Sequence, residues 1–342
     1  MLEINKRIKL IAILTVGSFY VNSLSAQFLE ANALEAQSYA GVIDQGFVAS
    51  SSASDFTMTI LAAAPGVSGR YGFDGYEADS SDVERLFDSD IEQNSFHIGY
   101  THAFEWLIAG LAVTYLDTEL ESDFSDNNNV GYFDADGDGW IVSAGVSQNW
   151  EALNLLISGG YGSLSQDGER ASQSAPVGAS TSDLDTELIY FVFEVNYGVD
   201  LFERVDLEPF LQLSYNSVET DSFTEGGGAA DAGGLDAFDR DWLIGELGIR
   251  SKFDLAEDLS ISLGLSWIHD FESDEVELDG DFQAVPSPGN AEVSTVGEDR
   301  LRGSLEIAYR VNEQWLLVGG ADVSSGDDVD THGLAFSVFC NF

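Results

Sequence analysis

Apolar and polar residues alternate with a period of two along most of this chain. Between 258 and 271, Leu259, Ile261, Leu263, Leu265 and Trp267 stand opposite Ser260, Ser262, Gly264 and Ser266. Successive side chains of a strand point to opposite faces, so this run predicts a strand with one apolar and one wet side. From Asp55 onward about twelve such segments follow one another. The first lies near 55–63 on Phe56, Met58 and Ile60; others lie near 95–104, 106–118, 139–149, 152–163 and 187–199. The remainder lie near 205–218, 241–253, 258–271, 300–311 and 314–324, with the C-terminal run last. That run sets Leu334, Phe336, Val338, Cys340 and Phe342 on one face, and Phe339 is the apolar exception on the other. Segments this long match the ~9–11 residues a tilted strand needs to cross a bilayer.

The links alternate as well. Those after the even-numbered segments are tight, such as Asn149-Trp150-Glu151 and Val311-Asn312-Glu313, whereas those after the odd-numbered ones are longer and rich in Asp, Gly and Ser. Short periplasmic turns and long outer loops are the arrangement of outer-membrane barrels, which also need an even strand count. Both termini then fall on the periplasmic side. Aromatic residues at segment ends, among them Trp106, Tyr115, Trp140, Trp150, Trp242, Trp267 and Trp315, suit the two membrane interfaces. The pattern predicts an all-β protein, a transmembrane antiparallel β-barrel of about twelve strands, over 54–342.

Ahead of the barrel, Lys6, Arg7 and Lys9 precede the apolar run Leu10–Val21 and the small residues up to Ala26. A basic stretch, an apolar stretch and a small-residue cleavage site make residues 1–26 a secretory signal peptide. Residues 27–53 form a leader in which Leu29, Ala33, Leu34 and Ala36 follow a mildly helical spacing, and Ser50–Ser54 reads as a break. This leader is long enough to plug the lumen as a short helix.

Net charge sharpens the picture. The 342 residues carry a formal charge of -47 with only 13 Lys and Arg, which leaves too few cations to neutralise nucleic-acid phosphates. Hydrophobic content of 44% excludes a disordered acidic chain, and the single Cys340 excludes a disulfide scaffold. The acids are expected mainly in the outer loops. Lumen-facing positions should hold an ion-pair network of Glu194, Asp206, Glu208, Glu246, Arg250, Lys252, Arg300, Arg302, Glu306 and Arg310, because charges inside a barrel need partners.

Asp134-Ala135-Asp136-Gly137-Asp138-Gly139 matches the first half of a calcium loop, with Asp134, Asp136 and Asp138 as candidate ligands, but Gly145 stands where the closing Glu belongs. Calcium on acidic loops is the only cofactor the chain suggests. His269-Asp270 invites comparison with an Asp/His catalytic pair, yet alternation sends the two to opposite faces. His97 and His102 have no nucleophile at a recognisable spacing. No catalytic residue is assigned.

From Leu207 to the end the chain resembles the autotransporter translocator (β) domain family. The resemblance rests on Leu207–Tyr215 with Phe223, Glu225 and Gly226, on Gly245–Arg250, on Leu265–Phe271, on Arg300–Leu305 and on the terminal strand. It implies a monomeric outer-membrane barrel whose terminal strand is read by the barrel-assembly machinery. Lipid and lipopolysaccharide would surround it, and a segment would thread the lumen. It also implies a passenger outside, and residues 27–54 hold no segment of passenger size. A non-enzymatic translocator-type barrel is therefore expected, with a porin-like channel for small solutes as the alternative.

Overall fold

The computed structural model describes residues 39–78, 88–126, 129–172, 179–202, 204–227, 233–271, 276–282, 289–293, 299–326 and 329–341. Residues 1–38, which hold the expected signal peptide and the first part of the expected leader, and Phe342 lie outside them. One helix, α1 (Ala40–Ala62), precedes the long strands β1 (Gly66–Ala78), β2 (Asp88–Ala103), β3 (Ile108–Asp126), β4 (Asn129–Trp150), β5 (Leu153–Ser172) and β6 (Ser180–Tyr197). Then come β7 (Val205–Thr220), β8 (Phe238–Ala256), β9 (Leu259–Asp270), β10 (Asp299–Arg310), β11 (Trp315–Gly326) and β12 (Val329–Asn341). Each pairs antiparallel with the next, and β12 pairs with β1 from Gly66↔Asn341 to Ala78↔Val329. The sheet closes into a barrel of twelve strands. A short strand, Val199–Phe202, adds to β7, and four small strands (Phe223–Thr224, Gly233–Leu235, Val276–Phe282 and Gly289–Val293) form a separate sheet at the loop end.

Two expectations about the chain's start change. The segment near 55–63 is not a strand, and Ser50–Ser54 is not a break; both belong to α1. The first strand is instead β1. Phe56, Met58 and Ile60 satisfy a period of two, but Phe56 and Ile60 also stand one helical turn apart. They pack together with Ala112, Val318 and Phe339, while Met58 and Leu61 turn to the main core. Thr57 and Thr59 donate their hydroxyls to the carbonyls of Ala53 and Asp55 at 2.9 and 2.7 Å, so neither spends its hydroxyl competing with the helix from outside. Pro65, which cannot continue a helix, follows the last turn and hands the chain to β1.

The helix stands inside the barrel. Its first turn reaches Phe133 and Glu225 at the loop end, and Leu61 accepts a hydrogen bond from Ser147 near the turn end. At 1.5 Å per residue its 23 residues span about 35 Å, enough to traverse the lumen. The barrel's two strand ends, Gly66 and Asn341, do share the turn end. The described chain nevertheless starts at the opposite end, because α1 carries it there.

Outward residues form the apolar band that alternation predicts. Leu111, Leu247, Leu265 and Leu301 are each more than half exposed on the outer surface. At the loop end the band stops at a single cross-strand row, Tyr71–Phe96–Tyr115–Trp140. From Trp140 to Trp150 a tilted strand rises about 26 Å, close to the ~25 Å of barrel bands. Beyond that row β3 and β4 continue as paired strands to Asp126 and Asn129, so the long loop expected between them is mostly ladder.

The two faces of one strand give a direct check. Leu263 points outward into the band, and Ser262 points inward. Leu263→Arg should cost roughly 2–4 kcal/mol at mid-band, and Ser262→Arg much less, measured as folded fraction in lipid vesicles against urea. Equal losses would refute the facing.

Candidate functional site

The lumen is the place where this fold can do work, and α1 divides it. The helix leans on the wall made by β1 to β7 and reaches the remaining wall chiefly at Trp242, Phe339 and Arg302. Two glycines permit the close approach. A methyl group on Gly46 would meet Val218 and Leu188 at 2.7 and 2.9 Å, and one on Gly41 would meet Leu120 at 2.7 Å. Val42, Ile43, Phe47, Ala49 and Ala53 fill a dry core with Leu116, Leu120, Phe133, Ile141, Leu188 and Trp242. A wet inward face was expected, and on this side the lumen is largely apolar.

Several polar groups of the helix that enter the dry side are matched. Gln45 donates to Thr118 at 3.2 Å and accepts from Gln166. Ser50 donates to Asn216 at 3.0 Å, Ser52 donates to Ser95 at 3.3 Å, and Thr57 and Tyr190 share a bond at 3.2 Å. A buried hydroxyl left without a partner would cost about 1–3 kcal/mol, so these pairs fix the rotation and depth of the helix.

The wall from β8 to β12 is wet and holds most of the expected charge network. Arg250 donates to Glu194 through two nitrogens at 2.8 Å, reaches Glu208 at 3.1 Å and lies over the Phe210 ring at 3.9 Å. Lys252 pairs with Asp254 at 3.5 Å rather than with Asp206, its partner across the ladder. Arg302 bridges helix and wall, with Asp55 at 3.1 Å, Asp322 at 3.3 Å and Glu246 at 3.9 Å. Arg300 is buried next to it on a cavity of about 140 Å³ also lined by Ser51, Asp55, Glu246 and Asp322. Glu306 and Arg310 stand on the inward alternation but remain exposed, and they form no ion pair among the described residues. Parity could place these side chains; it could not name Asp55, which sits on the helix.

A second cluster closes the loop end. Arg170 grips Glu225 through two nitrogens at 2.7 and 2.8 Å, Tyr39 donates its hydroxyl to the same carboxylate at 2.5 Å, and the Gly233 amide donates at 2.9 Å. Burial works to raise the Glu225 carboxyl, but the Arg170 contacts, helped by Tyr39 and Gly233, outweigh it and hold the group below its ordinary value. Burial first, then the Glu225 charge, push the Tyr39 hydroxyl far up, which keeps it a donor. The sequence singled out Glu225 only through family resemblance and gave no sign of its partners.

The calcium-loop reading changes. Asp134, Asp136 and Asp138 lie within β4, all exposed on its outer side, while Ala135, Gly137 and Gly139 face inward. Among the described residues no group of three or more acids or other ligating side chains is placed to hold a metal. The acids instead line up across strands. Asp90, Glu121, Asp134 and Glu169 form one row, and Glu92, Glu119, Asp136, Asp167 and Asp183 the next, both beyond the aromatic edge of the band. Desolvation first and then neighbouring carboxylates raise the carboxyls of Glu119 and Asp134 above the usual range. The acidity expected in loops is carried largely by strands.

The histidines have local partners. His269 and Asp270 do face opposite ways, and His269 pairs with Asp299 at 3.1 Å on the outer surface beside Trp267. His97 is fully buried, with Thr114 at 2.8 Å and Ser95 at 2.9 Å, and the Phe56 ring lies tilted against it at 4.8 Å. A Ser–His contact is thus present, but the helix covers it and leaves no approach for a substrate. On the terminal strand Leu334, Phe336, Val338 and Cys340 take the outward positions, and Phe339 packs inward.

Comparison with known proteins agrees with this geometry. The autotransporter beta-domain family model matches residues 67–322. The translocator domain of the autotransporter NalP from Neisseria meningitidis superposes with a TM-score of 0.67 at 14% identity, covering 84% of this chain and 93% of that one. The transport unit of the autotransporter AIDA-I from Escherichia coli gives 0.57 at 14% identity, with 81% and 90% covered. Esterase EstA of Pseudomonas aeruginosa is 23% identical over 242 residues, 68% of this chain and 36% of that protein. The chain therefore spans about a third of that relative's length.

Two measurements follow from the charges. Arg302→Ala leaves three carboxylates without their shared cation and should lower unfolding stability by about 1.5–3 kcal/mol, whereas Arg310→Ala should change little; urea titration of refolded barrel in vesicles reads both. Like charges opposed across strands repel, so Glu119→Gln should raise the melting midpoint at low salt. That gain should shrink at roughly 0.5 M salt, where the screening length falls to a few ångströms; a salt-independent gain would contradict the repulsion.

Proposed function

Because the chain belongs to the autotransporter β-domain family, we propose that it acts as a non-enzymatic outer-membrane translocator-type unit that holds its own helix through the lumen. The turn end is then periplasmic and the loop end outside. The observation that carries the reading is the course of α1, which starts at the loop end beside Glu225 and finishes at the turn end beside Ser147. The described chain therefore begins, at Tyr39, on the outer side. The barrel would be exported through the signal peptide, assembled through its terminal strand, surrounded by lipid and lipopolysaccharide, and used as a monomer.

An open solute channel fits less well, because the lumen is filled against one wall and bridged by Arg302 to the other. Esterase chemistry is named only for the relative EstA. Support for a non-enzymatic barrel comes from His97, which is fully buried beneath the helix beside Phe56.

Removing Ala40–Ala62 should raise single-channel conductance in planar bilayers well above that of the full chain. Gly46→Leu, which overpacks the helix against Val218 and Leu188 at roughly 1–3 kcal/mol, should raise it in the intact chain. A tag placed just before Tyr39 should be reached by antibody on whole cells. Equal conductance in all three proteins, or a tag reached only after cell lysis, would reject the reading.

A further inference from the structure

The cluster at the loop end joins three parts of the chain that are far apart in sequence. Arg170 comes from the outer end of β5, Tyr39 from the entry to α1, and Glu225 with Gly233 from the link between β7 and β8. The Glu225 side chain is fully buried and that of Arg170 nearly so. The described parts of that link are paired. The Glu225 amide donates to the Gly233 carbonyl at 2.8 Å, Gly226 and Gly227 extend the edge of β6, and Gly233–Leu235 pairs with 280–282. Phe223 lies against the Tyr39 ring at 4.8 Å, and Phe133 of the wall lies against its other side at 4.6 Å.

We propose that Glu225 is a latch holding the segment Phe223–Gly226, with Gly233–Leu235, shut as a lid over the outer mouth and fastening it to the first turn of α1. The proposal rests on the outward course of α1 and adds to it that the lid is pinned to the outer end of the helix, which stays seated when the lid lifts. Four donors converge on one carboxylate, so the lid cannot lift while Arg170 and Tyr39 keep their bonds. Releasing it exposes a guanidinium and a carboxylate that are now dry, and each must regain water as it parts. Tyr39 is the one member of the cluster that the helix supplies, so it is the joint between lid and helix. Removing its hydroxyl leaves the Arg170–Glu225 pair and the Tyr39–Phe223 ring contact whole and cuts only the hydrogen bond that ties Glu225 to the entry of α1.

Leu235 offers a reporter, since it belongs to the lid and is 2% exposed, turned into the core. In the full chain carrying Cys340→Val, Leu235→Cys should react slowly with a membrane-impermeant maleimide. Adding Tyr39→Phe should speed labelling at least tenfold, since loss of a charge-assisted hydrogen bond shifts an opening equilibrium by about that much. Glu225→Gln should speed it further. Ile60→Cys, at the far end of α1 and 1% exposed, serves as the second site and should keep its rate in both backgrounds. Heat-modifiable mobility confirms that each variant is folded. Unchanged labelling at Leu235→Cys in folded Tyr39→Phe and Glu225→Gln proteins overturns the latch. Equal acceleration at Leu235→Cys and Ile60→Cys also overturns it, because the whole barrel would then have loosened. The conductance and tag measurements test the course of α1 separately, so either reading can fail alone.

Discussion

Closure of twelve strands fixes a circumference, and a circumference fixes an interior that strand side chains alone do not fill here. That constraint governs the molecule. On the β1–β7 side many inward positions are Leu, Ile, Phe and other apolar residues, which would be costly facing water and are covered by α1. The helix in turn carries Val42, Ile43 and Phe47, with Gly41 and Gly46 to admit the wall, and few charged groups. Neither surface is stable without the other. The hydroxyl pairs between them then select one rotation, as polar groups buried in a core do when each has a single partner in reach.

Charge follows the same division between inside and outside. Among the described residues every Lys and Arg within the twelve strands falls on the lumen side of its strand's alternation, and Arg204 in a turn is the exception. Outward positions beyond the aromatic edge hold carboxylates in opposed rows. The interior thus neutralises its acids with guanidinium groups, whereas the exterior relies on dissolved ions. Arg250 and Arg302 each serve more than one carboxylate, which suits the forked geometry of guanidinium.

Alternation made the strands and their facing legible, because a lipid-facing side and a lumen-facing side impose a period of two. It failed where the environment does not alternate. Inside the lumen a helix meets protein on several sides, so α1 lacks a strong polar face, and Phe56, Met58 and Ile60 could be read with either period. The Asp134–Gly139 stretch failed for a related reason. Its acids face outward and its small residues face the interior, where a methyl group on Gly137 would meet Gln166 at 2.6 Å. Acid alternating with glycine is what a crowded strand and a calcium loop have in common. The ion pairs were half legible. Parity gave the side, while the partners of Arg302 and Glu225 come from the helix and from a distant link that no local spacing connects to them.

The link between α1 and β1 is only Ala63, Ala64 and Pro65. A plug on so short a tether cannot diffuse away, and its local concentration at its own seat is of millimolar order or higher. Occupancy of the lumen is consequently independent of how much protein a membrane contains. Dilution, which frees a bound partner, does nothing to a segment spliced to the wall it fills.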